Sequence, residues 1–290
     1  MLKYYVRLFR NHWLGIPGPA SGVAMLLIKA GGGKSINWTS ICRDIAFLYL
    51  KERIVLIHGA NQKRDEIAEK LNVPTKTVLS PSGVSSVYTD EAALDVFLMV
   101  YAGMVNKKIV AMLHQNGVNA VGVSGIDGRL WQASHKKEIL SKEGAKIKLL
   151  RNNLSGKVEK ADPKLLTVLV DNGFLPVITP PALSFESKIV NTDSDWAMAV
   201  LAEAMNIKTM ISLFEAPGLL KDPADEHSLI RKIKKQDIES ILKFGQGRMK
   251  KKILGAQRAI EGGVQRIYWG DGRLENPLRN VLQRNGTVIE

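Results

Sequence analysis

Three polar clusters, far apart in the chain, contain residues suited to holding an anion. They are Lys29 with the glycines that follow it, Asn191-Thr-Asp193-Ser-Asp195, and Gly247-Arg248-Met-Lys250-Lys251-Lys252. Lysine ammonium groups and glycine N–H groups attract anions, and carboxylates orient ammonium groups. Each cluster therefore has one interpretation as part of an anion site and another as ordinary structure.

The first cluster follows a predicted buried strand. Four apolar residues, 25–28, precede Lys29, and glycines occupy positions 31–33. A glycine run lets the backbone approach a ligand and turn its N–H groups toward an anion. Lys29 is then a phosphate-binding residue; the alternative is an exposed residue at a strand end. A P-loop is excluded, because Gly33-Lys34-Ser35 matches the end of that motif but Ile28 occupies the position of its first glycine.

The second cluster precedes a helix predicted over residues 194–205. A single aspartate there would be an N-cap, which satisfies N–H groups of the first helical turn. Asp193, Asp195 and Asn191 together exceed what one cap needs. The additional groups are candidates for orienting lysines or a substrate, and a plain N-cap is the alternative.

The third cluster opens a helix predicted over residues 249–262. Cations in a first turn oppose the helix dipole, and each placement is unfavourable by ~0.3–1 kcal/mol. Repeated violation of a local rule indicates a functional demand, here a bound polyanion. A solvated charge run is the alternative for Lys250 and Lys251. Lys252 borders the apolar stripe of the helix and is the best candidate to point into a cleft.

The elements that must position these clusters alternate between strands and helices from residue 25 onward. Strands are predicted at 25–30, 53–58, 118–123, 174–178, 208–214, 265–269 and 287–289, with a hairpin at 77–88 and short strands within 129–160. Helices are predicted at 41–50, 62–71, 89–116 (with Thr89 as N-cap), 163–172, 194–205, 235–243, 249–262 and 276–283. This alternation predicts an α/β fold in which helices sandwich an open, mostly parallel sheet. Ligands in such sheets bind at the carboxyl ends of strands, where residues 31–33, 59–61 and 215–221 are expected.

Composition narrows the classes of protein. The net charge of +13 implies an acidic partner, an anionic substrate or nucleic acid. Nucleic acid is not expected, because aromatic residues make up only 6% of the chain and no nucleic-acid-binding motif is present. Cys42 is the single cysteine, which excludes an internal disulfide framework and fits a reducing cytoplasm. No membrane-spanning run is expected, since spanning a bilayer takes ~20 apolar residues.

Residues 1–24 differ from the rest of the chain. Their basic residues face no acids, and prolines interrupt the apolar stretch. We interpret this segment as a tail outside the fold or an over-long start before Met25, with a weak signal peptide as the alternative. The run Thr179-Pro-Pro181 is predicted to mark the boundary between an N-terminal lobe, 25–182, and a second lobe, 183–290.

The motifs resemble those of the amino acid kinase family, in the same order and over nearly all of residues 25–290. They are Ile28-Lys29-Ala-Gly31-Gly32, His58-Gly59-Ala60, Asn191-x-x-x-Asp195, Ala216-Pro-Gly218-Leu and Met249-x-x-Lys252. The acetylglutamate kinase branch is the most similar. Within it, three runs look like the kinases that act on aminoadipate or glutamate linked to the amino-group carrier protein LysW. They are Ser-Gly-Val-Ser-Ser-Val-Tyr-Thr89, Val-Ser-Gly-Ile-Asp-Gly-Arg129 and Thr179-Pro-Pro-Ala-Leu-Ser184.

The resemblance implies a carbamate kinase-like fold and a reaction in which ATP phosphorylates the side-chain carboxylate of the carrier-linked amino acid. Mg²⁺ would arrive with the nucleotide and need no protein ligand. Lys29 and Lys252 would flank the transferred phosphoryl group, and Asp195 would hold both lysines in place. Implied nucleotide contacts are Gly31, Gly32, Glu215 and Lys221, and implied substrate contacts are Gly59, Ala60, Ser86, Val87 and Asn191.

Two departures from the family pattern affect the substrate site. Most relatives place an arginine for the substrate α-carboxylate just before a Tyr-Thr pair, where this chain has Val87. Ser85, Ser86 or a basic residue from elsewhere would have to replace it. Ala60 occupies a position where acetylglutamate kinases usually have glycine, although carrier-linked relatives also show alanine.

The resemblance and the charge together predict partners and alternatives. An acidic LysW is expected to dock on a basic surface that includes Lys136, Lys137, Lys142, Lys146, Lys148 and Arg151. A cytoplasmic homodimer that acts in lysine, and possibly arginine, biosynthesis is implied, with no membrane partner. Two other functions stay open: an N-acetylglutamate kinase, and a non-catalytic amino acid or nucleotide sensor of the same fold. The presence of all three charged site residues argues against the sensor.

Overall fold

The computed structural model describes residues 24–290, except residues 82, 145 and 246. Residues 1–23, nearly all of the predicted tail, lie outside the described residues. Across the described part, strands and helices alternate as the sequence predicts.

The elements closely match the predicted pattern. The strands are β1 (Met25–Ala30), β2 (Arg53–His58), β3 (Lys76–Leu79), β4 (Ser85–Tyr88), β5 (Ala120–Gly125), β6 (Trp131–Lys136), β7 (Ile139–Glu143), β8 (Lys146–Leu150), β9 (Ser155–Ala161), β10 (Leu175–Ser184), β11 (Ile189–Thr192), β12 (Thr209–Phe214), β13 (Lys232–Ile233), β14 (Arg266–Asp271) and β15 (Thr287–Ile289). The α-helices are α1 (Trp38–Tyr49), α2 (Asn61–Lys70), α3 (Glu91–Leu98), α4 (Asn106–Gln115), α5 (Lys164–Asp171), α6 (Ser194–Ala204), α7 (Gly247–Glu261) and α8 (Pro277–Leu282). A π-helical segment, Met99–Val105, joins α3 to α4, and 3₁₀ turns occur at Asp127–Arg129, Glu226–Ser228 and Lys235–Phe244.

The main sheet has a parallel centre and antiparallel pairs toward its edges. Within the described residues it has eleven strands, in the order β11-β9-β6-β10-β2-β1-β12-β14-β15-β13, with β5 also paired to β10. Strand β1 lies between β2 and β12 and is parallel to both, so that Lys29 is level with Ile57 and Ser212. The predicted open, mostly parallel sheet is confirmed.

Strand β1 is buried on both faces, because its side chains alternate between two apolar clusters. Leu27 packs in the cluster that includes Leu201 of α6 and Ile253 of α7. Ile28 packs in the opposite cluster with Ile45 of α1. Residues two apart on a strand share a face, so Lys29 lies on the Leu27 face, toward α6 and α7. The apolar alternation of β1 thereby fixes the direction of its lysine.

The double proline lies inside β10, not at its end. The predicted strand end at 178 is wrong, because β10 continues to Ser184. Pairing with β2 and β5 ends at Ile178 and Thr179, and pairing with β11 begins at Ala182. The two prolines fill the interval between partners, where a missing N–H donor breaks no ladder. A lobe boundary near 182 remains a prediction, and β10 itself crosses that position.

The helical region predicted at 89–116 is present, but Thr89 does not cap it. The Asp90 side chain accepts the Ala93 N–H, and the helix begins at Glu91. The Thr89 hydroxyl donates instead to the Val87 carbonyl. A neighbouring aspartate is at least as good a cap as threonine, which explains the shift by one residue.

One helical region contradicts the expectation that no segment is apolar enough to span a bilayer. Among the described residues, Glu91–Gln115 is long and apolar enough to cross a membrane by length and composition. Core helices can have the same composition, and Val96, Phe97 and Val100 of this region pack in an apolar cluster with Ala60 and Ala68 of the loop–helix segment after β2. The absence of a membrane partner therefore remains a prediction.

Candidate active site

Lys29, Asp195 and Lys252 meet near the carboxyl end of β1. Asp195 Oδ1 lies 2.5 Å from Lys29 Nζ and 3.2 Å from Lys252 Nζ. The three side chains are only 5%, 16% and 12% exposed, respectively. One carboxylate therefore holds two ammonium groups, one from β1 and one from α7, in a largely buried position.

The two aspartates at the start of α6 have separate tasks. Asp193 is the N-cap: its Oδ1 accepts the N–H groups of Asp195 (2.9 Å) and Trp196 (3.0 Å). The N-cap interpretation therefore applies to Asp193. The Asp195 side chain, within the first turn, is left to contact the lysines.

Gly255 allows α7 to pack closely against the start of α6. A Cβ at Gly255 would lie 2.9 Å from the Asp195 carbonyl oxygen. Lys252, about one turn earlier on α7, is thereby placed beside the Asp195 carboxylate. Lys251 lies 3.2 Å from Asp193 Oδ2, so a solvated charge run does not describe Lys251. Acidic groups of α6 thus offset part of the unfavourable charge at the start of α7.

The electrostatics of this cluster favour an anionic ligand. Burial lowers the pKa of Lys29 to about 8, and Lys252 contributes to the lowering, whereas Asp195 opposes it. Burial alone would raise the pKa of Asp195, but Lys252 and Lys29 outweigh it and hold that pKa below its usual range. The Lys252 ammonium also lies 5.0 Å from the centre of the Phe214 ring, at the distance of a cation–π contact. At neutral pH the cluster therefore carries a net positive charge.

The glycine loops that follow β1 and β2 touch each other. A Cβ at Gly32 would lie 2.3 Å from the Ala60 nitrogen and 2.5 Å from the Gly59 carbonyl carbon. The Gly32 carbonyl accepts the Gln62 N–H at 2.9 Å, and the Gly31 N–H donates to Leu213 at 2.9 Å. The predicted residues of both loops are thus brought together, and only glycine fits at position 32.

Glu215 and Lys221, both predicted to contact the nucleotide, are placed differently. Glu215 Oε1 accepts the Ser35 N–H at 2.7 Å, so its carboxylate supports the first glycine loop. The Lys221 N–H donates to the Ser228 carbonyl at 3.1 Å, and its side chain is exposed. Within residues 24–290 as described, Lys221 makes no ion pair with the Lys29–Asp195–Lys252 cluster. The nucleotide roles of both residues remain predictions.

His58 and Asn106 support the second glycine loop. Asn106 Nδ2 donates to His58 Nε2 at 3.1 Å and to the Val177 carbonyl at 2.9 Å. His58 Nδ1 lies 3.3 Å from the Gly59 carbonyl oxygen. Burial lowers the pKa of His58 to about 4, so the ring is neutral at pH 7. This network fixes the loop without adding charge to the site.

A cavity between α2, α3 and the β3–β4 hairpin contains two of the predicted substrate residues. Val87 and Asn191 line it, together with Arg64 of α2. Asn191 Nδ2 donates to Thr89 Oγ1 at 3.0 Å. Ser86 precedes Val87 on β4 and is partly exposed, and it is not one of the described lining residues.

The charged groups of the site suit the binding of a nucleoside triphosphate. Lysine ammonium groups and the N–H groups of glycine loops are common ligands of phosphate oxygens. Among the described residues, no group of three or more histidine, cysteine, aspartate or glutamate side chains could hold a metal ion. Delivery of Mg²⁺ with the nucleotide remains a prediction.

The sequence assigns no individual role to Arg64, Arg248 or Phe214. Arg248 Nη1 lies 3.0 Å from the Asn61 amide oxygen when that amide is oriented to accept, so the start of α7 reaches the start of α2. Arg248 stood in the basic run that the sequence does reveal. Arg64 lies in an ordinary charged helix and Phe214 in an ordinary buried strand, so neither has a local signal.

Comparison with known sequences identifies close relatives. The sequence matches the amino acid kinase family over residues 24–268. It is 44% identical over 268 residues to the LysW-aminoadipate kinase of Deinococcus radiodurans, covering 92% of each chain. It is 40% identical over 268 residues to the LysW-aminoadipate kinase of Thermus thermophilus, covering 91% of this chain and 100% of the relative. An acetylglutamate kinase of Archaeoglobus fulgidus is 34% identical over 274 residues, covering 91% and 92%.

Solved structures share the fold. Carbamate kinase from Giardia lamblia bound to AMP-PNP superposes with a TM-score of 0.65 at 15% identity, covering 93% of this chain and 99% of that one. N-acetylglutamate synthase from Neisseria gonorrhoeae superposes with a TM-score of 0.72 at 23% identity, covering 99% of this chain and 61% of that one. At these identities the likeness concerns architecture, and it confirms the predicted carbamate kinase-like fold.

Proposed function

The chain belongs to the amino acid kinase family, and from this premise we propose that it phosphorylates a carboxylate carried by LysW. The γ-phosphoryl group of ATP is transferred to the side-chain carboxylate of LysW-linked aminoadipate or glutamate, giving ADP and an acyl phosphate. The names of the relatives at 44% and 40% identity support aminoadipate as the first substrate to test. The reaction serves lysine biosynthesis, and arginine biosynthesis if glutamate is also accepted.

The observation that carries the proposal is the buried Lys29–Asp195–Lys252 cluster. Phosphoryl transfer requires little covalent chemistry from a protein, so catalysis depends on positioning and on neutralising charge around the transferred group. Two lysines from separate elements, held by one carboxylate, provide two fixed positive charges at one point. This arrangement suits the spread of negative charge over the phosphoryl oxygens.

Each residue of the cluster has a distinct role in the proposal. Lys29 and Lys252 contact oxygens of the transferred phosphoryl group, and Asp195 positions both ammonium groups without touching the substrate. N–H groups of Gly32 and of the loop after β2 hold phosphate oxygens or the accepting carboxylate, whereas the Gly31 N–H is already donated to the Leu213 carbonyl. When bound, ATP supplies the phosphoryl group, and its Mg²⁺ neutralises part of the triphosphate charge.

Ala60 is compatible with this acceptor site. Its side chain is 2% exposed and packs with Phe97 and Val100, so the methyl group points into the core. The backbone of residues 59–61 is left to face the ligand. We expect the substrate to extend from this loop toward the cavity lined by Asn191 and Val87.

The carrier is proposed to dock on the basic β7–β8 hairpin. Strand β8 is exposed along most of its length, and Lys146 and Lys148 alternate there with Ile147 and Leu149. Residues two apart on a strand share a face, so Lys146 and Lys148 lie on one face of β8 and Ile147 and Leu149 on the other. The lysine face suits an acidic protein surface, because complementary charge steers the encounter. The β7–β8 hairpin packs beside β3, and β3 pairs with β4, whose Val87 lines the acceptor cavity.

Two further features are proposed from the family resemblance. The protein is expected to form a homodimer through the N-terminal lobe and to act in the cytoplasm. Sedimentation or light scattering of the purified chain checks the first, and fractionation of the source cells checks the second. Recovery in the membrane fraction would direct attention to the apolar helical region Glu91–Gln115.

A coupled ADP-release assay tests the function directly. The purified chain is given ATP and Mg²⁺ with LysW-aminoadipate, LysW-glutamate or free N-acetylglutamate, and acyl phosphate is trapped with hydroxylamine. Turnover with a LysW conjugate and little with N-acetylglutamate is expected. Efficient use of free N-acetylglutamate alone would assign the alternative kinase. Nucleotide binding without turnover of any acceptor would support a sensor.

A further inference from the structure

Arg64 places a buried cation in the acceptor cavity. Its side chain is only 9% exposed, although arginine is rarely buried without a charged partner or ligand. The backbone N–H of Arg64 donates to the Ala60 carbonyl at 2.8 Å, so Arg64 lies one helical turn beyond the second glycine loop. It lines the same cavity as Val87 and Asn191, and the other described lining residues are uncharged.

The guanidinium of Arg64 is only partly used within the protein. Asp65 Oδ1 accepts Nε at 3.0 Å and Nη2 at 2.6 Å. Asp65 itself is 44% exposed, so this pair lies at the cavity edge. Among the described residues, Nη1 makes no hydrogen bond. A guanidinium presents donors in a rigid fork, and its remaining N–H groups match one planar carboxylate.

The proposed substrate provides such a carboxylate. In aminoadipate or glutamate joined to a carrier through the amino group, two carboxylates remain. The side-chain carboxylate accepts the phosphoryl group at the lysine cluster. The α-carboxylate stays ionised, and burying it in a mostly apolar cavity is unfavourable unless a cation pairs with it.

We propose that Arg64 binds the α-carboxylate of the carrier-linked substrate and so replaces the arginine that relatives place at the position of Val87. The inference rests on the proposed function and adds the residue that recognises the substrate. Arg64 and Val87 line one cavity from opposite elements, the helix α2 and the β3–β4 hairpin. In this chain the positive charge of the cavity therefore comes from α2 and not from the hairpin.

The first test replaces the guanidinium with a side chain of similar length. For Arg64→Met, kcat/KM for LysW-aminoadipate should fall roughly 10- to 100-fold, the usual effect of losing charge-assisted hydrogen bonds. The loss should lie mainly in KM for the conjugate, with KM for ATP unchanged. Lys70→Met on the same helix is the matched control, because Lys70 is 67% exposed and pairs only with Glu66 among the described residues.

A rescue variant separates recognition from folding. Arg64→Met combined with Val87→Arg returns a guanidinium to the cavity from the hairpin, where relatives carry it. The double variant should recover a substantial part of the lost kcat/KM. A purely structural role for Arg64 predicts no recovery, since Val87→Arg cannot restore packing within α2.

An altered substrate supplies a further test. LysW linked to 5-aminopentanoate differs from LysW-aminoadipate only in lacking the α-carboxylate. Wild type should use this conjugate about as poorly as Arg64→Met uses LysW-aminoadipate, and Arg64→Met should lose no further activity on it. If Arg64→Met lowered kcat/KM equally for both conjugates, Arg64 would not bind the α-carboxylate.

The outcomes distinguish the two claims. Wild type that is active on LysW-aminoadipate, with an unchanged Arg64→Met variant, would overturn this inference and leave the proposed function intact. Wild type that is inactive on every LysW conjugate would overturn both.

Discussion

The Oδ1 atom of Asp195 lies 2.5 Å from the Nζ atom of Lys29, and the two residues come from different parts of the sequence. Their pairing depends on β1, whose alternation turns Lys29 toward α6, and on Asp193, which caps α6 and leaves Asp195 available. Because the cluster is buried, removing Asp195 leaves two ammonium groups without their carboxylate, whereas removing Lys29 leaves Asp195 paired with Lys252. The next three predictions test this cluster.

Lys29→Met and Lys252→Met should each lower kcat far more than they raise KM for ATP. Both ammonium groups are proposed to contact charge that grows in the transition state. Losing one such contact typically costs ~3 kcal/mol, on the order of 10²–10³ in rate. Steady-state kinetics check this, with Lys164→Met as control because Lys164 is 89% exposed. Wild-type kcat in either site variant would make that lysine structural.

Asp195→Asn should reach the native fold with reduced stability, because two buried ammonium groups lose their carboxylate, and it should lose most of its activity. The substitution keeps the shape of the side chain but removes the charge that holds the lysines. Asp193→Asn is the matched variant, since asparagine caps a helix as well as aspartate does, and it should lose much less. Turnover and thermal unfolding of both proteins give the answer. Similar activities for the two variants would contradict separate roles for the aspartates.

The value of kcat/KM for ATP should decline as pH rises through about 8. Burial lowers the pKa of Lys29 to about 8, so this group loses its proton above that value, and the proposed role requires the ammonium form. The pH profile of kcat/KM reports the pKa values of groups in the free enzyme, and that of kcat reports them in the complex. Bound triphosphate is an anion and should raise the pKa of Lys29, so kcat should decline at a higher pH than kcat/KM does. Lys29→Arg should show residual activity without this decline, because arginine does not titrate there. A flat wild-type profile to pH 9.5 would be inconsistent with the assignment.

Salt should weaken use of the carrier conjugate. The β7–β8 hairpin exposes its cations, and screening is nearly complete beyond a few Å at ~0.5 M salt. kcat/KM for LysW-aminoadipate should therefore fall steeply between low salt and that concentration. Charge reversal of Lys146 and Lys148 should reproduce the loss at low salt without changing KM for ATP. Lys164→Glu outside the hairpin is the control, and an equal loss there would indicate a general charge effect.

Gly32→Ala should destabilise the protein even without ligand. The added Cβ would lie 2.3 Å from the Ala60 nitrogen, which is backbone and cannot rotate away. We expect a loss of about 1–3 kcal/mol in the free energy of unfolding, as for other overpacked positions. Gly31→Ala is the matched control, because its Cβ would meet its nearest neighbour, the Leu213 oxygen, at 3.5 Å. Denaturant unfolding of both variants checks this, and equal stability would argue against tight contact between the loops.

Much of the fold follows from the sequence. The buried strands β1 and β2 each contain four consecutive apolar residues and are followed by glycine, and their limits agree with the prediction to the residue. Lys252 was identifiable because cations at a helix start break a local electrostatic rule. Asp195 was identifiable because the run contains more acids than a cap needs. Such signals are local, so they can be detected without knowing the partners.

Other features required the tertiary structure, since they depend on which elements become neighbours. The sequence could not decide which aspartate caps α6 and which meets the lysines, because that depends on how closely α7 packs at Gly255. It could not show that β10 changes partners across its prolines. Arg64 could not be identified for the same reason. Nothing in the sequence of α2 marks it, and only the tertiary structure places Arg64 and Val87 in the lining of one cavity.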